Sequence, residues 1–105
     1  MSDTVLLCYC TCPDVASAQK LAEALVGEHL AACVNRIPAV ASTYRWKGEV
    51  VTDAEELLLI KTTAARFPAL KERLVALHPY ELPELIAVPV TEGHRPYLDW
   101  VRDPG

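Results

Sequence analysis

The sequence predicts an α+β fold built on one antiparallel sheet, and three observations predict it. A stretch rich in β-branched and aromatic residues runs from Ala32 to Thr63 and is interrupted at Lys47-Gly48, so it reads as one long hairpin. Two stretches with helical apolar spacing flank that hairpin, one before it and one after. Short apolar strands open and close the series, which gives the order β-α-β-β-α-β.

The first strand spans Thr4 to Cys12. Val5, Leu7 and Tyr9 share one face, and Leu6, Cys8, Cys10 and Cys12 share the other. Apolar side chains on both faces predict a central strand. Pro13-Asp14 ends it, with Asp14 placed to cap the first helix. Val15, Ala18, Leu21, Ala22, Leu25 and Val26 recur at helical spacing, and Gly27 is a stop. In the outer half of the hairpin Val40, Ser42, Tyr44 and Trp46 lie on one face, with Ala41, Thr43 and Arg45 on the other. Gly48 supplies the turn because it accepts positive φ cheaply. Each arm could span about 40 Å at strand rise, whereas a domain of this length has a radius of gyration of about 13 Å. The hairpin tip should therefore project, and its aromatic residues call for a partner, the simplest being a second copy of the chain.

The second helix is expected over Ala64 to Leu77, with Pro68 in its first turn and Leu70, Leu74, Val75 and Leu77 as its buried stripe. A proline-punctuated loop follows, His78-Pro-Tyr-Glu-Leu-Pro-Glu84. Leu85 to Val90 is a short strand, placed at an edge because Pro89 cannot donate to a ladder. Tyr97, Trp100 and Val101 mark a short C-terminal helix. This order is the ferredoxin-like split β-α-β sandwich, extended by a long hairpin and a closing helix, and all of residues 1–105 are assigned to a single such domain. Both main helices would cover one face of the sheet. The other face would be left apolar and bare, which again predicts self-association.

Composition narrows the function. The formal net charge of −4 and the scattering of ten Lys and Arg argue against nucleic acid as a partner. No apolar run reaches the 18 or so residues of a membrane helix, so no membrane partner is expected. The start Met1-Ser-Asp-Thr lacks a basic region leading into an apolar stretch, and a cytoplasmic location is the default expectation. The four cysteines show no Cys-x-x-Cys spacing. Cys8, Cys10 and Cys12 alternate at about 6.6 Å, close to the far limit for a disulfide. They read as buried free thiols.

Five motifs resemble a known family: Ala31-Ala-Cys-Val-Asn35, Tyr44-x-Trp-x-Gly48, Glu56 to Lys61-Thr62, the His78 to Glu84 loop, and Tyr97-Leu-Asp-Trp100. In this order they resemble the CutA divalent-cation tolerance family. The resemblance implies a fold related in shape to the PII signalling proteins. It also implies a packed homotrimer with hairpins wrapped around neighbouring subunits. It further implies a role in the response to metal ions, with copper or another divalent metal as ligand. The family's copper assignments fall here on Cys10 and His78. Some members carry two consecutive histidines at the second position, and this chain has Leu77-His78.

Thiolate and imidazole are sensible copper ligands. The placement of the second helix is expected to leave His78 about 20 Å from Cys10, so that a shared metal would bridge two subunits. His78 also reads as a plain loop or capping residue. Tyr44, Trp46 and Tyr80 read as interface or cleft aromatics, Lys61 as a cation with Glu55 or Glu56 within reach across an interface, and Glu84 with Glu81 as an acidic pair in a rigid loop. No nucleophile–base arrangement or glycine-rich phosphate loop is visible, so no enzyme is predicted. The alternative reading is a PII-like signalling or structural scaffold that binds a non-metal ligand in clefts between subunits.

Overall fold

The computed structural model describes residues 3–105, so the first two residues of the start discussed above, Met1 and Ser2, lie outside it. Seven elements follow in order: β1 (Val5–Cys12), α1 (Val15–Gly27), β2 (Cys33–Trp46), β3 (Glu49–Thr63), α2 (Phe67–Leu77), β4 (Ile86–Pro89) and α3 (Arg95–Arg102). They form an α+β fold around one four-stranded antiparallel sheet in the order β2-β3-β1-β4. Pro89 lies in edge strand β4, where its missing N–H leaves no gap in an interior ladder.

Side-chain alternation builds the core. Cys8, Cys10 and Cys12 face the helices and are fully buried; Ile60 and Leu58 sit opposite Cys8 and Cys10 on β3. Ala18, Leu21 and Leu25 of α1 and Leu70 and Leu74 of α2 close the cluster. Two expected stripes are narrower than the sequence suggests: Val15, Val26 and Val75 are exposed. Helix α2 begins at Phe67 rather than Ala64. The N–H groups of Ala64 and Ala65 are taken by Thr4 and Asp3 instead, and Pro68 sets the first turn. Asp14 caps α1, accepting the Ser17 N–H at 2.8 Å.

The opposite face is only partly covered. Helix α3 packs there, burying Val101 against Val5 and Ala32. Arg66 ties it down by donating to the carbonyls of Val101 (3.0 Å) and Arg102 (2.6 Å). Beyond α3 the face stays open: Ile37, Ile86 and Val88 are exposed, beside half-buried Leu7, Tyr9, Leu57 and Leu59.

The hairpin dominates the shape. The molecule measures 46 × 25 × 22 Å with a radius of gyration of 14.3 Å. Trp46 pairs with Glu49 across a two-residue turn in which Lys47 (φ 50°) and Gly48 (φ 83°) both adopt positive φ, the signature of a type I′ turn. At its base β2 carries one extra residue between Ile37 and Val40, with Ala39 at φ 59°. Glu56 holds this bulge. One carboxylate oxygen accepts the Ala39 N–H at 3.0 Å, and the other pairs with Arg36 at 2.6 Å. The Ala39 N–H, then Arg36, draw the Glu56 carboxyl below its usual range.

Gly48→Ala is expected to cost about 1–2 kcal/mol in urea unfolding, because Cβ disfavours the left-handed conformation; an unchanged midpoint would rule out the I′ turn. Glu56→Gln tests the bulge through pH. Folding lowers the Glu56 pKa, so its contribution is complete above the ordinary carboxylate range and is lost as pH falls through the folded value. Wild type should be the more stable at pH 7, and the gap should close in acid. A gap independent of pH would show that the charge plays no part.

Candidate metal centre

Antiparallel pairing decides where the site residues meet. Val5 lies opposite Thr63 and Cys12 opposite Glu56, so β3 ends where β1 begins. Helix α2 then runs back along the sheet and delivers its C-cap, His78, to the far end of β1. The expected 20 Å separation of Cys10 and His78 within one chain is thereby overturned. The ligand atoms of Cys10, Cys12 and His78 all lie within 4.8 Å of one another, and all three residues are buried.

The hydrogen bonds fix the state of this cluster. His78 Nδ1 accepts the Tyr80 N–H at 3.1 Å, leaving Nε2 to carry the proton and donate to the Thr11 carbonyl at 2.8 Å. The same Nε2 is 3.8 Å from Cys12 Sγ. Cys10 Sγ donates to the Thr11 carbonyl at 3.7 Å. The neighbouring Cys12 thiol, with burial adding to it, pushes the Cys10 thiol pKa strongly up, while the contact with Cys10 lowers that of Cys12. All four cysteines are free.

Two thiols and an imidazole form a soft donor set suited to copper(I), zinc or a similar ion. Metal–sulfur bonds of about 2.3 Å and metal–nitrogen bonds of about 2.0 Å place neighbouring ligand atoms just under 4 Å apart. The cluster needs only a small contraction to reach that. To ligate through Nε2, His78 would have to move its ring proton to Nδ1, giving up both the Thr11 carbonyl and the Tyr80 N–H, and donate from Nδ1 to another acceptor.

Beside this cluster lies a cleft of about 700 Å³. Tyr44, Trp46, Tyr80 and Glu84 line it, together with Thr11 and Glu55. Tyr44 donates to Asp53 at 2.5 Å and Tyr80 to Glu55 at 2.5 Å. Lys61 does not line it. Six residues further along β3, it sits opposite Leu7 and Cys33 and donates to the Asn35 side chain. Two residues escaped the sequence reading: Cys12 as a cluster member, and Glu55 as the buried charge of the cleft. Cys12 was findable, since Cys10 and Cys12 share a strand face at the end to which α2 returns.

The family profile described as "CutA1 divalent ion tolerance protein" matches residues 6–104. The chain belongs to the CutA1 family. The divalent-cation tolerance protein CutA of Thermus thermophilus is 55% identical, over 98% of this chain and 97% of its own length. Protein CutA of Homo sapiens is 46% identical over 94% of this chain but only 55% of its own, so the chain spans about half the length of that CutA relative. The solved structure of a divalent cation tolerance protein (Cut A1) from Thermus thermophilus superposes with a TM-score of 0.92 at 55% identity, covering 94% of this chain and 96% of that one.

Proposed function

We propose that this CutA1-family chain binds a soft metal ion, copper or a comparable divalent ion, through Cys10, Cys12 and His78, and does so as a homotrimer. Family membership supports a role in divalent-ion tolerance. The observation that carries the metal reading is the convergence of two thiols and an imidazole, all from one chain, at the end of β1. Burial limits exchange with water, and the thiol protons must leave when metal enters, so affinity should rise with pH. A site held this way suits retention of an ion better than catalysis on it.

Trimerisation is supported by the projecting hairpin, with half-exposed Tyr44 and Trp46, and by the open apolar face around Ile37, Ile86 and Val88.

Cadmium titration should produce a thiolate-to-metal charge-transfer band at one equivalent per chain. Cys10→Ser and Cys12→Ser should each weaken binding at least about tenfold, since each removes one of three donors. Because the donors belong to one chain, co-assembled Cys10→Ser and His78→Ala chains should regain no site. Wild-type affinity in both single cysteine variants would reduce those thiols to packing. For assembly, sedimentation should give a trimer at micromolar concentration, with Trp46→Ala shifting it towards monomer; a stable wild-type monomer sinks the trimer.

A further inference from the structure

The cleft beside the metal cluster is electrostatically unfinished. Glu55 is only 7% exposed, yet no Lys or Arg pairs with it. Among the described residues the ion pairs are Arg36–Glu56, Arg73–Glu28 and Arg102–Asp99. One Glu55 oxygen accepts the Tyr80 hydroxyl; no hydrogen bond reaches the other. Glu55 lines the cleft, so this second oxygen is left for a ligand to pair with. Glu81 and Glu84 add negative charge at the exposed rim, and the lining offers Arg45 as its one cation.

We infer that this cleft is a binding site for a small organic cation, an alkylammonium or alkylguanidinium compound, whose charged head pairs with Glu55 and whose apolar body lies along Trp46 and Leu82. The size fits, because clefts of about 300–1,000 Å³ are typical of small-molecule sites. The walls fit, because Tyr44, Trp46 and Tyr80 offer aromatic surface that attracts cations as well as apolar groups. A bare metal ion fits poorly. Among the described residues only Cys10, Cys12 and His78 bring three ligand atoms together, whereas the carboxylates of the cleft are spread over its floor and rim. The inference does not rest on the metal reading, although Thr11 and Tyr80 belong to both sites.

Calorimetric titration of the full chain with agmatine, which carries both head groups, tests it. Putrescine separates ammonium from guanidinium, and glutarate serves as the anionic control. Agmatine should saturate one site per chain, glutarate should not bind, and added salt should weaken binding. Glu55→Gln should cost at least about tenfold in affinity, the scale of one hydrogen bond to a charged group. Cys10→Ser should bind agmatine as wild type does, which separates this site from the metal centre. Should Glu55→Gln not fold, the exposed rim variant Glu81→Gln/Glu84→Gln decides. Several-fold weakening there supports the site. Absence of agmatine binding by wild type, equal affinity in the Glu55 or rim variant, or equal binding of glutarate overturns it; a cleft filled by a second copy would appear as the first of these.

Discussion

The antiparallel register of β1 on β3 is the constraint on which the rest depends. Cys12 opposite Glu56 and Val5 opposite Thr63 make β3 finish at the start of β1. Everything after Thr63 must therefore cross the helix layer again. That return carries Leu70 and Leu74 over Cys8 and Cys10 to complete the core, and it leaves His78 at the only end of β1 where two inward cysteines meet the helix terminus. A parallel pairing would have needed a crossover and would have sent His78 the other way. Core and candidate metal cluster are thus two results of one pairing.

The cluster also shows how a potential ligand set is kept stable without metal. His78 has both ring nitrogens satisfied, by the Tyr80 N–H and the Thr11 carbonyl. The Cys10 thiol donates to the Thr11 carbonyl, and its pKa is pushed well above the usual thiol range. No buried charge is stranded there, so the apo chain bears little of the cost that an unpaired polar group would impose. Under the proposed reading, a bound ion would have to be soft enough to offset two thiol deprotonations and the loss of both backbone contacts of His78.

Much of the fold was legible because it rests on periodicity. The alternation of Cys8, Cys10 and Cys12, the helical spacing of Leu21 and Leu25, and the Lys47-Gly48 turn each carry their own local signal. The edge placement of Pro89 follows from one missing donor. The bulge at Pro38-Ala39 was not legible, since an alanine at positive φ has no sequence mark; it depends on Glu56, seventeen residues away in the chain. The site was half legible. Residue types pointed to Cys10 and His78, and the aromatic grouping to the cleft, but their distance was misjudged. The direction of α2 follows from strand pairing, which no local pattern in β3 states.

Glu55 and Glu56 show why charges were harder to place than apolar residues. They are neighbours of one chemistry on one strand, and alternation sends them to opposite sides. Glu56 meets Arg36 and the bulge, and its charge is fully used in holding the hairpin base. Glu55 meets a neutral phenol and a cleft wall, and its charge remains uncompensated within the chain. Where Trp46 and Tyr80 converge, a carboxylate with one hydrogen bond and no cation from its own chain is the group that the proposed organic cation would meet.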